Sequence, residues 1–185
     1  EIVHADGGYI HTLMESNFSK DKYYDMWRLK ENFRNGNLYP THGLGPIAQT
    51  MNINRGDKMD YLVAVSGKDF QMSKMAKELA SKDDYYKQFA NKNYRGNMNT
   101  TTIKTAKGAT IMLQHDVTSP NVYSRIFKVS GTKGSALKYP IEGRIAFGHE
   151  EWQTNEEYKK LEEKYQPPIV KKVGELAKQL GGHGG

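Results

Sequence analysis

The stretch Asn97–Val117 reads NMNTTTIKTAKGATIMLQHDV and indicates two antiparallel strands joined by a tight turn. Apolar and polar residues alternate over Asn97–Thr105, and a second strand-like run follows at Ala109–Val117, as expected of strands with one buried face. The turn falls on Ala106–Gly108, because glycine accepts the backbone angles that tight turns require. This is the clearest β-hairpin in the chain.

Further strands and helices are predicted on both sides of this hairpin. Ile2–Ile10 is a strand in which Gly7 and Gly8 predict a bulge or a close backbone approach. The other predicted strands are Tyr61–Ser66, as a buried strand, Ser124–Ser130, Ser135–Tyr139 and, at the sheet edge, Arg144–Phe147. Five helices are predicted. Two are given by their spacing, Tyr23–Phe33 and Phe70–Lys82. The others are marked by their ends: a helix with Thr41 as N-cap and Pro46 in its first turn, a helix that starts with a Thr154–Glu157 capping box, and Ile169–Leu180 with Gly181 as C-cap. His11–Asp21 is predicted as a loop, and Gly182–Gly185 as incompatible with regular structure.

These elements predict the α+β class. About six strands, mostly joined by hairpins, with helices grouped at the start and end, indicate an open, mostly antiparallel sheet with helices on one face. A length of 185 residues corresponds to a single domain, residues 1–185.

Composition excludes several classes of protein. The chain has no cysteine, which rules out a disulfide scaffold, a thiolate metal site and a cysteine nucleophile. A net charge of +6 is compatible with nucleic acid, but the lysines are scattered and the densest stretch, Tyr158–Lys172, interleaves them with glutamates, so no nucleic-acid partner is expected. No apolar run is long enough to predict a membrane span, and no signal peptide precedes Ile2. A start inside a predicted strand indicates a fragment or a processed product.

Two short segments combine tyrosine and histidine. Tyr39–Gly43 places a phenol and an imidazole three positions apart at a helix start, where free N–H groups and the dipole favour a neutral His42 suited to base or hydrogen-bond work. Tyr9 and His11 are two apart on a strand and share a face, beside the paired glycines. The alternatives are an ordinary helix entry and a bulged edge strand.

Two other candidates have weaker support. Arg28 would clamp a polar or anionic ligand, although a lone arginine on a helix is more often a surface residue. Six histidines raise the question of a metal, but they have no i, i+4 pair, so no metal site is predicted.

Several long blocks resemble the NAD-dependent glycosidases of glycoside hydrolase family 109, whose best-known members are α-N-acetylgalactosaminidases. They are GGYIH at Gly7–His11, MWRLKENF at Met26–Phe33, NLYPTHGLGP at Asn37–Pro46, and the stretch from Asn97 to Pro120 that ends in LQHDVTSP. Proteins of this family resemble Gfo/Idh/MocA-type oxidoreductases, with a Rossmann domain followed by an α+β domain. This chain resembles the second part, so the resemblance implies a substrate-binding domain whose Rossmann domain, the main NAD-binding part, is missing.

The resemblance also implies a mechanism. NAD oxidises the sugar at C3, a base removes the C2 proton, the glycosidic oxygen is eliminated, water adds, and C3 is reduced again. The implied substrate is a glycan or glycoside carrying N-acetylgalactosamine, and the fragment alone is expected to be inactive.

The resemblance further implies a homo-oligomer formed through the sheet face and a periplasmic or secreted location, with the cytoplasm as the alternative. The alternative functions are a sugar or inositol dehydrogenase and a non-catalytic sugar-binding module.

Matching the family's positions one at a time implies the site residues. Tyr39 and His42 would carry proton transfer around C2 and C3, and Tyr39 would also touch the nicotinamide end of the cofactor. The implied substrate-binding residues are Tyr9, with His11 beside it as a helper, Arg28, Tyr39, Pro40, Thr41, His42 and Tyr123.

Overall fold

The structure is a computed structural model that describes residues 1–139 and 141–181, so the prediction for Gly182–Gly185 lies outside the described residues. Within this part of the chain, seven strands form one open sheet in the order β2-β3-β4-β1-β5-β6-β7. The strands are β1 (Ile2–Ile10), β2 (Met59–Ser66), β3 (Asn99–Thr105), β4 (Thr110–Asp116), β5 (Phe127–Gly131), β6 (Gly134–Lys138) and β7 (Arg144–Phe147). The α-helices are α1 (Met14–Phe18), α2 (Trp27–Glu31), α3 (Thr41–Thr50), α4 (Met72–Lys82), α5 (Asn155–Tyr165) and α6 (Pro168–Leu180).

The predicted fold class is confirmed, and the sheet is antiparallel except at one place. Strand β1, first in the chain, inserts between β4 and β5 and pairs with β4 in parallel. The predicted hairpin is confirmed as β3 and β4, and Gly108 in its turn has the left-handed φ of +95°. The edge strand predicted at Arg144–Phe147 is present as β7, and it completes the seven strands of the sheet.

The helix predictions near the N-terminus were partly wrong. Part of the predicted loop His11–Asp21 forms the short helix α1, which buries Phe18. The single helix predicted over Tyr23–Phe33 is broken, because Asp25 and Met26 take left-handed φ values of 51° and 49° ahead of α2. This kink places the Met26 side chain in the core, where it is 2% exposed.

Helix α3 begins one residue earlier than predicted. Pro40, rather than Thr41, is the N-cap residue, and it contributes no side-chain hydrogen bond. Pro46 lies inside the helix rather than in its first turn, with its ring exposed to solvent. A proline has no N–H to donate to the carbonyl four residues earlier, yet the helix continues beyond Pro46 to Thr50.

The prediction of a buried strand at Tyr61–Ser66 was wrong. Strand β2 is an edge strand, and its residues Tyr61, Val63 and Val65 are 57%, 61% and 68% exposed. A continuous apolar run looks the same in a buried strand and in an apolar edge, so the sequence pattern does not separate the two.

Two clusters form the hydrophobic core. One joins α3 to the sheet around Ala5, Ile47, Ile111 and Leu113. The other joins α1, α2 and α4 around Phe18, Leu29 and Met72. Helix α5 starts with the predicted capping box of Thr154 and Glu157, and α6 follows Pro167, while Gly181 ends it as predicted.

The contact between α3 and β1 is a close backbone approach, as the paired glycines predicted. A Cβ atom on Gly43 would lie 2.8 Å from the backbone nitrogen of Gly8, and one on Gly7 would lie 2.7 Å from the carbonyl oxygen of Gly43. Real Cβ atoms do not come this near to backbone, so helix and strand reach this spacing only with glycine on both sides.

We expect Gly43→Ala to lower the free energy of unfolding by about 2 kcal/mol, because overpacking against rigid backbone forces helix and strand apart. Gly45→Ala is the matched control, since Gly45 lies on the same helix with no neighbouring atom within 4 Å of a Cβ. It should leave stability unchanged or raise it by up to about 1 kcal/mol through helix propensity. Urea unfolding of both variants measures the difference, and equal stability of the two would contradict the close-approach explanation.

Candidate functional site

The end of β1 and the start of α3 bring five aromatic rings together around Tyr9. Its ring centroid lies 4.8 Å from that of His11, 5.3 Å from Tyr39, 4.7 Å from His42 and 6.4 Å from Tyr123. The sequence predicted each of these residues, and the contact between Tyr9 and His11 agrees with the spacing of two along a strand. The glycine contact between α3 and β1 is the reason that two segments thirty residues apart meet here.

Arg28 adds a positive charge to one side of this cluster. Its guanidinium lies 5.4 Å from the Tyr39 ring and 5.3 Å from the Trp27 ring, and its charge acts on the Tyr9 hydroxyl. A cavity of about 200 Å³ opens there. Its lining includes Tyr9, Trp27, Arg28, Leu38, Tyr39, His115 and Val117.

A second cavity lies on the other side of the cluster. His42 and Thr41 line it together with Arg125, Phe127 and Tyr139. Arg125 also donates a hydrogen bond to the Tyr123 hydroxyl. Thr41 therefore faces a different cavity from Arg28, and Pro40 is exposed at the start of α3.

Burial sets the protonation of the cluster near neutral pH. It raises the pKa of Tyr9, although the hydrogen bond and charge of Arg28 oppose the shift. Burial also lowers the pKa of His11, and the charges of Arg28 and Arg125 act in the same direction. Tyr9 is therefore a neutral phenol and His11 a neutral imidazole at neutral pH, which are groups that exchange and orient protons.

The cluster differs from the paired carboxylates of most glycosidases. Among the described residues that line its two cavities, Glu31 is the single acidic one, and its carboxylate pairs with Arg34. In residues 1–139 and 141–181, no group of three or more histidine or acidic side chains is arranged to hold a metal ion. The arrangement suits proton transfer and hydrogen bonding to a polar ligand.

Sequence reasoning missed three side chains of the site. Trp27 and Arg125 border the two cavities, and His115 lines the cavity beside Arg28 with its ring 6.0 Å from that of Tyr9. In the sequence, His115 is only one of six histidines that raise the question of a metal. Its spacing of two from Leu113 and four from Ile111 is the signal that places it on the covered face of β4.

The described residues fit only a small part of a dinucleotide. The Tyr9 and Tyr39 rings and Arg28 offer aromatic and polar groups to the nicotinamide end or to a sugar. The chain contains no glycine-rich loop between a first strand and a helix that would cradle a pyrophosphate. No helix within the described ranges is both long and apolar enough to cross a bilayer.

Comparison with known proteins identifies the family. The family model described as glycosyl hydrolase 109, C-terminal domain, matches residues 1–185. A glycosyl hydrolase family 109 protein from Solibacter usitatus is 43% identical over all of this chain, which covers 41% of that protein. An alpha-N-acetylgalactosaminidase from Shewanella oneidensis is 41% identical, again over all of this chain and 41% of its own length. The chain thus spans well under half the length of these curated relatives.

A solved structure supports the fold. An inositol dehydrogenase homolog complexed with NAD+ from Azotobacter vinelandii superimposes with a TM-score of 0.53 at 13% sequence identity. The match covers 83% of this chain and 36% of that protein. The likeness is one of fold: the sheet and its helices are arranged as in part of that protein. By the match of its whole length and its identity to these relatives, the chain belongs to glycosyl hydrolase family 109.

Proposed function

We propose that this chain is the substrate-binding domain of an NAD-dependent glycosidase that cleaves α-N-acetylgalactosaminides. The observation that supports it best is the ring cluster around Tyr9, which has Arg28 at its edge and no pair of carboxylates among the described residues lining its cavities. Most glycosidases that act by direct displacement use two such carboxylates. A route that oxidises the sugar, eliminates and adds water needs proton donors and acceptors instead. The name of the Shewanella oneidensis relative supports the same substrate class.

In this proposal the two residues at the start of α3 move protons. The Tyr39 and His42 ring centroids are 5.0 Å apart, so the two groups reach neighbouring positions of one sugar ring. Tyr9, His11, Arg28 and Tyr123 hold the sugar around them. Thr41 contacts the part of the ligand that extends into the second cavity, and Pro40 shapes the entry to the helix.

The cofactor belongs mainly to another part of the protein. NAD, when bound, supplies the hydride acceptor for oxidation at the sugar, and Tyr39 would lie at its nicotinamide end. We propose that a Rossmann domain, separate from residues 1–185, holds the rest of it, in agreement with relatives more than twice as long as this chain. The chain alone is then expected to bind sugar without turning it over.

The open face of the sheet is proposed as the homo-oligomer contact. Tyr61, Val63 and Val65 are paired in register with Lys104, Thr102 and Thr100, which places them on the face opposite the buried Ile103. An exposed apolar edge of this kind is typical of an interaction surface.

We expect Arg28→Met to weaken binding of methyl α-N-acetylgalactosaminide to this chain about tenfold, because hydrogen bonds to a charged group contribute about 1.5 to 3 kcal/mol. Isothermal titration calorimetry measures the affinity. Arg55→Met is the matched control, since Arg55 bonds Gln49 at the end of α3, away from the ring cluster. Equal affinity in the two variants would remove Arg28 from the site.

In a longer protein that carries this chain and its nucleotide-binding part, we expect His42→Ala to lower glycoside cleavage at least a hundredfold with the melting temperature preserved. Release of free N-acetylgalactosamine is the readout for the wild-type protein. Net accumulation of NADH without release of sugar would instead favour the dehydrogenase function. Full activity of the variant would exclude His42 from proton transfer.

We expect Val63→Glu to convert an oligomer of this chain to the 21.0 kDa monomer in sedimentation velocity, because a charge on the apolar face repels its partner copy. Leu62→Glu is the control, since Leu62 is 58% exposed on the same strand but faces the other side of the sheet. A monomeric wild-type chain, or dissociation by the control variant alone, would contradict the proposed surface.

A further inference from the structure

Arg95 is a buried cation whose contacts are carbonyls and an imidazole. It is 1% exposed, and its guanidinium donates to the carbonyl oxygens of Gly96 at 3.1 Å and His115 at 3.0 Å and to that of Asn97. One further N–H points at the Nδ1 atom of His115. The three contacts to carbonyl oxygens fix the backbone of the loop before β3 and the end of β4, and the fourth orients the His115 side chain.

This contact decides which nitrogen of His115 carries the proton. A guanidinium has only donors, so Nδ1 of His115 is the acceptor and offers its lone pair. The proton of the neutral ring is therefore on Nε2. Within the described residues, the side-chain hydrogen bond of His115 is the one at Nδ1.

The surroundings also keep His115 uncharged. Burial, followed by the charge of Arg95, lowers the pKa of His115 to about 3, while Asp116 opposes the shift and Arg28 and His11 add to it. The pKa of Arg95 falls only to about 10 through burial, so it stays a cation at neutral pH. The imidazole is thus neutral at neutral pH.

His115 is the floor of the cavity that holds Arg28 and Tyr39. Its ring lies nearly parallel to that of Tyr9, with 26° between the two planes, and both residues line the same cavity of about 200 Å³. A neutral N–H donor with one fixed tautomer, set in an apolar wall, is suited to a ligand that brings an acceptor oxygen.

We propose that His115 donates a hydrogen bond from Nε2 to an oxygen of the bound sugar, and that Arg95 is the positioning residue that fixes this tautomer. The inference rests on the proposed sugar site and adds to it a donor whose strength does not change with pH. Sugar hydroxyl, carbonyl and acetamido oxygens all have the chemistry to accept from it.

Nuclear magnetic resonance of the 185-residue chain tests the tautomer without any variant. Long-range proton–nitrogen spectra should place the His115 proton on Nε2 at every pH from 5 to 8, with the exposed His149 as an internal reference for a solvated ring. A proton on Nδ1, or a doubly protonated His115 ring within this range, would overturn the assignment.

Addition of methyl α-N-acetylgalactosaminide to the same sample tests the contact. The His115 Nε2–H resonance should move together with resonances of Tyr9 and Tyr39. Movement of the two tyrosines without His115 overturns this inference and leaves the sugar site in place. No movement of any of the three overturns the sugar site itself, and the inference with it.

Substitutions at His115 and Arg95 separate the contact from a structural role. His115→Gln keeps an N–H near the position of Nε2 and should bind the glycoside within threefold of the wild type, whereas His115→Met loses the donor and should bind about tenfold more weakly. Arg95→Lys keeps a buried cation but removes the planar fork, and it should yield a mixture of His115 tautomers. Equal loss of affinity in both His115 variants would show that the ring serves packing only.

Discussion

The close approach of α3 to β1 is the constraint on which the rest of this structure depends. Gly43 on the helix and Gly7 on the strand leave no room for a side chain between the two backbones, and the backbone nitrogen of Gly8 lies directly beside Gly43. Because the first turn of the helix is held directly against the end of the strand, Tyr39 and His42 lie within ring contact of Tyr9. The ring cluster is therefore a consequence of backbone packing. Glycines are unfavourable inside a strand, but here they allow the helix to approach closely enough for the rings to meet.

The second organising feature is burial of polar groups beside that contact. Burial lowers the pKa of His11 and of His115 and raises the pKa of Tyr9, so the site holds neutral donors and acceptors around the cations Arg28 and Arg95. Such a site differs physically from one built on two carboxylates, since it orients and transfers protons with little fixed negative charge.

Local patterns predicted the hairpin of β3 and β4, the capping box at Thr154 and the helix after Pro167, because each depends on neighbours in sequence. They failed where distant contacts decide. The kink at Asp25 and Met26 follows from burial of the Met26 side chain, and the edge position of β2 follows from the order of the strands. The parallel insertion of β1 beside β4 is likewise a long-range pairing that no local pattern encodes.

The sequence by itself determined the fold class, the family and the residues of the ring cluster. The reason is that glycine pairs, strand alternation and the long blocks around Tyr9 and Tyr39 are local patterns along the chain. The tertiary structure alone decided which of those residues share a cavity, that Thr41 and Arg28 face different ones, and that His115 accepts from Arg95. Arg95 and His115 are twenty residues apart, and their hydrogen bond exists only because the loop before β3 folds over the end of β4. The burial of a side chain and the direction of a hydrogen-bond donor depend on tertiary packing, so they are defined only in the folded protein.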